Sequence, residues 1–160
     1  MALKLPLQVV SNADVMRLKR EVSGLNDYFT SAAARSAGVP AQPPRLSRQL
    51  DQLVRENQVN LMDNSARTKL HDDLKALELQ APMLHISFAS EPSAQVVEKI
   101  LSWLRSNIDP YVLLRVGLQP TIAAGCVLRT PNKIIDMSMR SSLITQEPYL
   151  AKLIAGAANE

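Results

Sequence analysis

Ile122-Ala123-Ala124-Gly125-Cys126-Val127-Leu128-Arg129-Thr130-Pro131-Asn132-Lys133-Ile134-Ile135-Asp136-Met137 is the stretch on which the fold turns. Two short apolar runs, Ile122 to Leu128 and Lys133 to Met137, flank the polar tetrad Arg129-Thr130-Pro131-Asn132. Pro and Asn between two such runs are turn chemistry, so the stretch predicts a β-hairpin. Gly125 inside a strand marks a bulge or the close approach of another backbone. With Ala123 and Ala124 beside it, that backbone could be a helix laid on the sheet or a neighbouring subunit. Cys126, mid-strand among aliphatics, reads as a small hydrophobe.

Working outward, Tyr111 to Val116 predicts another strand, and His85 to Ala89 alternates as a half-buried strand does. Between them Val96, Val97, Ile100, Leu101, Leu104 and Ile108 recur at helical spacing. Ser90 can cap that helix, and Pro92 is tolerated in its first turn. Trp103 lies beside the apolar face, either as an amphipathic core residue or as a partner anchor. A last helix is expected from near Ser138 to about Ile154, with Pro148 as a break. Asp136 or Ser138 would cap it, or Asp136 would pair with Arg129, Lys133 or Arg140 or help form a docking site for a partner.

Upstream of Pro82 the pattern is helical. Val15, Leu18, Val22, Leu25, Phe29 and Ala32 stripe a helix from about Asn12 to Ser36, with Ser11 or Asn12 as cap. Gly24 costs that helix about 1 kcal/mol relative to Ala. Val39 to Pro44 holds three prolines and stops it. Helices follow at about Leu46–Asn60 and Ser65–Leu79, the latter capped by Asp63 or Asn64. Each is apolar on one side, so they must pack on one another or on a partner; the near-heptad stripe of the first also suits a homodimer. The expectation is an α+β chain: a helical segment over 1–82 and a small β-α-β-β-β-α domain over 83–160.

Composition narrows the function. The 160 residues are 46% hydrophobic and 21% charged, as in a folded protein, with a net charge of +3. Basic and acidic residues are interspersed in both parts, without the block that would mark a nucleic-acid arm. The N-terminus lacks a signal-peptide core, and no uncharged apolar run reaches the roughly 18 residues of a bilayer span. One cysteine excludes an internal disulfide. His71 and His85 are far apart, Asp72 and Asp73 point in different directions on a helix, and no phosphate-binding glycine motif occurs. No catalytic residue, cofactor or metal is expected.

The string Leu118 to Arg129 resembles the signature of ATP-synthase delta (OSCP) subunits, with Gln119, Ile122, Ala124, Gly125, Val127, Leu128 and Arg129 on the motif positions. Lys133-Ile134-Ile135-Asp136-Met137-Ser138-Met139-Arg140 continues the resemblance, which covers about residues 83–143. Cys126 stands where the family has an aliphatic, Thr130-Pro131 replaces its usual turn, and the N-terminal part is shorter than the family's helical bundle. The resemblance implies a non-catalytic peripheral-stalk connector of a rotary F-type ATP synthase. Its partners would be the C-terminal helix of the stalk b subunit and the N-terminal segment of the head's alpha subunit. Its place would be peripheral to the inner membrane, on the cytoplasmic or organelle-matrix side, held there only through the complex. Val97, Leu101, Trp103 and Leu104 are the candidate partner contacts. The alternative is an interaction module or homodimer that uses the same fold in another assembly.

Overall fold

Helix α1 (Asn12–Ala34) starts where a capping box fixes it. The Oγ of Ser11 accepts from the Asp14 amide at 3.3 Å, and the Asp14 carboxylate accepts from the Ser11 amide at 2.9 Å and hydroxyl at 2.8 Å. The computed structural model describes residues 3–34, 44–122, 124–130, 132–139 and 144–147. Most of the proline-rich break at 39–44 and the end of the expected first helix lie outside them, as do Arg140 and most of the expected last helix.

Helix α2 (Arg48–Asn57) is shorter at both ends than its apolar pattern suggested. Ser47 caps it, accepting from the Leu50 amide at 3.2 Å, while its own amide and hydroxyl each donate to the Glu21 carboxylate at 2.7 Å. The start of α2 is thereby tied to α1. Gln58, in the left-handed region at φ 53°, ends the helix and returns its amide toward Arg55 and Val54. Helix α3 (Asn64–Gln80) matches its expected span closely, and Asp63 caps it through the Ser65 amide.

The helices bury their apolar stripes against one another. Val15, Leu18, Val22 and Leu25 of α1 join Leu50 and Leu53 of α2 and Leu70, Leu74 and Leu77 of α3 in one core with Leu3, Val9 and Leu113. Each such side chain contributes roughly 1.5–3 kcal/mol on burial. The stripe of α1 is therefore consumed inside the chain, and the homodimer through this helix considered above loses its surface. Lys19 of α1 also pairs with Glu78 of α3. Arg67 of α3 is interior, at 4% exposure. It donates to Asn26 Oδ1 at 2.7 Å, to the Leu61 and Met62 carbonyls at 2.7 and 3.1 Å, and to Asn64 Oδ1 at 3.1 Å, beneath the Phe29 ring.

Downstream come β1 (Met83–Phe88), α4 (Ala94–Asn107), β2 (Leu113–Leu118), a 3₁₀ turn (Pro120–Ile122), β3 (Gly125–Arg129) and β4 (Ile134–Ser138). Helix α4 begins at Ala94, so Ser90 and Pro92 lie ahead of its first turn. The sheet order is β2-β1-β3-β4. Strand β3 pairs antiparallel with β1, from His85 opposite Arg129 to Phe88 opposite Cys126, and antiparallel with β4. Leu113 N donates to Pro82 O and Gln119 N to Phe88 O at one constant offset, so β2 runs parallel to β1. The chain is α+β, and the hairpin read from its turn is present.

The chain groups into two units, residues 1–83 with 94–114 and residues 84–93 with 115–160. The division at Pro82 expected from the sequence differs from this, because α4 and the start of β2 belong with the helices. Arg105 of α4 shows the physical reason. Its guanidinium donates to the carbonyls of Val112, Leu5, Pro6 and Val9 at 3.2, 3.2, 2.9 and 2.6 Å, bonds that the sequence pattern of α4 does not announce. Burial pushes its pKa down to about 10, which leaves it charged at neutral pH. Among the described residues no helix is long and apolar enough to cross a membrane.

Candidate interaction surface

The motif residues build the hairpin and its approach. Gln119 leaves β2 with its amide on the Phe88 carbonyl at 2.7 Å, and its Oε1 accepts from the Arg129 guanidinium at 3.4 Å. The two polar ends of the motif thus meet, ten residues apart. Ile122 is buried and closes the 3₁₀ turn, its amide on the Gln119 carbonyl at 3.0 Å. Strand β3 begins only at Gly125 and not at Ile122, because that turn occupies Pro120 to Ile122.

Gly125 has φ +92°, a conformation that L side chains rarely adopt. A Cβ built there would meet the Met137 carbonyl oxygen at 2.5 Å and Ser138 Cα at 3.0 Å. The backbone that approaches the glycine is therefore strand β4, and neither a helix nor another subunit is needed to explain it. Ala124 extends the pairing, accepting at 2.9 Å from the Met139 amide.

Ser138 ends a strand and does not start a helix, which corrects the capping expected of Asp136 and Ser138. Ser138 sits opposite Gly125 in the ladder, and Asp136 Oδ1 accepts from the Ser138 amide at 2.8 Å within the strand end. Among the described residues beyond Ser138, those at 144–147 are helical. Arg140 is outside the described residues.

The candidate partner contacts on α4 separate by burial. Leu101 and Leu104 are interior and present nothing to a partner, Val97 is half-buried, and Trp103 is 60% exposed. The core reading of Trp103 is thereby overturned. Val96 and Ile108 are also exposed on this helix.

A surface the sequence reading missed is β4. Ile134, Ile135 and Met137 of β4, the strand at the end of the sheet order, and Met139 just beyond it are 70, 45, 51 and 54% exposed. Ile135, Met137 and Met139 alternate onto one face, and Ile134 shares the other with Asp136 and Ser138. The alternation was visible; what the sequence lacks is any sign that no described element covers this strand. Edge strands carrying uncovered apolar side chains are sites for pairing or docking.

Chemistry is sparse elsewhere. His71 lies 3.6 Å from Asp72 on α3, and His85 Nε2 faces Gly117. Burial pushes the Cys126 thiol up, which weakens it as a nucleophile. Among the described residues no three His, Cys, Asp or Glu side chains form a metal-sized group. No family model matches the chain, and no curated protein is significantly similar to it.

Proposed function

We propose that this chain is a non-catalytic connector of an F-type ATP synthase, joining the stalk b subunit to the catalytic head. The observation that carries this reading is the use made of the motif string. Gln119, Ile122, Gly125 and Arg129 hold a β3–β4 hairpin whose outer strand displays an apolar edge. A sheet whose last strand exposes Ile and Met side chains suits an amphipathic helix or an added strand from a partner. The resemblance over residues 83–143 supplies the partner: the C-terminal helix of the b subunit, with the alpha subunit's N-terminal segment as a second contact for the helical unit. On this reading the protein is peripheral to the membrane and reaches it only through the complex.

The test is recovery of the tagged chain from its native membranes after mild detergent extraction, with mass spectrometry of what accompanies it. Co-purified stalk b and head alpha subunits are the expected result. Recovery of only the chain itself, or of unrelated proteins, would overturn the proposal in favour of an interaction module in another assembly. Truncation at residue 83 is the wrong tool for placing the site, since it removes residues 94–114 from the first unit. Ile135→Asp with Met137→Asp, against Trp103→Asp, separates the hairpin edge from the α4 face by which pair of partners is lost.

A further inference from the structure

On α4, Ser102 stands three residues before Arg105 and four before Ser106, so its side chain neighbours both. Together with Lys4 these three line a cavity of about 410 Å³, within the roughly 300–1,000 Å³ of small-ligand sites. Leu5, Leu7, Pro110 and Tyr111 give it an apolar wall, and none of the residues lining it is acidic. All of them belong to the first unit.

Two cations therefore line one cavity without a counter-charge. A guanidinium carries five N–H donors. Four of those on Arg105 go to the carbonyls of Val112, Leu5, Pro6 and Val9, which solvate its charge without cancelling it. Burial lowers its pKa, and no carboxylate acts the other way. Among the described residues neither Arg105 nor Lys4 makes an ion pair, and neither serine hydroxyl has a hydrogen-bond partner. The main chain of Lys4 is pinned on both sides by Asn57, its amide donating to Oδ1 at 2.7 Å and its carbonyl accepting from Nδ2 at 2.8 Å. The ammonium thus extends from a fixed point. A cavity of about 590 Å³ at the end of α2 differs in this respect, because Lys69 and Asp73 line it together.

The number of donors chooses among anions. A carboxylate has two oxygens, which two hydroxyls a helical turn apart already occupy. A phosphate monoester has three strong acceptor oxygens and a charge of about −1.5 to −2, enough for the hydroxyls, the remaining guanidinium N–H and the ammonium. We propose that this cavity binds a phosphate monoester with a small apolar body, the phosphate held by Ser102, Ser106, Arg105 and Lys4 and the body laid against Leu7 and Tyr111. A phosphatidate headgroup and a soluble phosphate ester share this chemistry.

The test is calorimetric titration of the full chain with phenyl phosphate and, in parallel, with inorganic phosphate. Phenyl phosphate is expected to bind about tenfold more tightly, since only it reaches the apolar wall. Ser102→Ala with Ser106→Ala should weaken it at least tenfold, because hydrogen bonds to a charged group are lost. Both serines are exposed on a helix, where Ala is the better helix former, so this variant keeps its fold. Lys4→Met should weaken binding and its dependence on salt, whereas Lys75→Met, an exposed lysine of α3 outside the cavity, should change neither. No binding of phenyl phosphate at millimolar concentration, equal affinity for inorganic phosphate, or wild-type affinity in the serine variant would each overturn the proposal. Vesicles of phosphatidate in phosphatidylcholine separate the two sources. Retention that phenyl phosphate competes away and the serine variant loses would assign the headgroup; phenyl phosphate binding without retention would assign the soluble ester.

Discussion

Gly125→Ala is the substitution that most directly tests how the hairpin is held. An L residue in the left-handed half of φ space costs about 1–2 kcal/mol, and Gly125 sits at +92°. The added methyl would lie 2.5 Å from the Met137 carbonyl oxygen and 3.0 Å from Ser138 Cα, both backbone atoms that no rotamer change can move. Relief requires β4 to shift away, which weakens the bond from Met139 N to Ala124 O and the pairing of Gly125 with Ser138. Steric overpacking of this kind costs about 1–3 kcal/mol. Together the penalty is about 3 kcal/mol, roughly a hundredfold in the local opening equilibrium. Hydrogen exchange resolved by segment is the assay, because a chain of two units need not unfold in one step. Amides of β3 and β4 should exchange about a hundredfold faster while those of α1 and α3 keep their rates. Unchanged protection in β3 and β4 would refute the reasoning, and equal loss in the helices would show that the strain is not local.

Gly24 is exposed in mid-helix with nothing within 4 Å of a built Cβ, so Gly24→Ala should raise stability by about 0.5–1 kcal/mol in urea unfolding. Arg67→Met should destabilise the helical unit by about 3 kcal/mol by leaving the Leu61 and Met62 carbonyls without their donor, and Arg67→Lys should not restore it, since an ammonium cannot span four acceptors; urea midpoints of the two variants check this. Burial acts to raise the Asp14 pKa, but hydrogen bonds from Ser11 and Val10 and the charge of Arg17 outweigh it, so the carboxyl lies below its usual range. Its stabilising contribution is therefore complete above the ordinary carboxylate pKa and lost as pH falls through the lowered one; Asp14→Asn should flatten that part of a stability curve measured from pH 5 to 2.

Periodicity made the helices legible because one-sided stripes leave little choice. Val15 to Leu25 and Leu70 to Leu77 fill the core they implied, and Asp63 caps as its position before the stripe suggested. The hairpin was legible from its turn. The end of α2 was not, since Gln58 adopts a left-handed conformation without being Gly or Asn. Local patterning also cannot tell a strand end from a helix cap: Asp136 and Ser138 suit both, and the β3 ladder decides between them. For the candidate surface, Leu101 and Leu104 read as part of one apolar helix face with Trp103 beside it, which suits either a core residue or a partner anchor, and only its neighbours in three dimensions send Trp103 outward. Arg105 was unreadable for a different reason, because its partners are carbonyls about 100 residues away, and every residue has a carbonyl.

The second unit gathers residues 84–93 with residues from 115 onward, and this sets an order of events during synthesis. Strand β1 leaves the ribosome with Leu84, Ile86 and Phe88 ready to pair, yet its neighbour β2 follows about thirty residues later and its neighbour β3 about forty. At 5–20 residues per second the strand waits about 1.5–6 s for its first neighbour and about 2–8 s for its second. The first unit also closes late, since α4 and residues 108–114 are made after β1. The nascent chain therefore displays two incomplete units at once, and slowing translation between residues 94 and 129 should raise its demand for chaperones more than slowing it anywhere in α1 to α3.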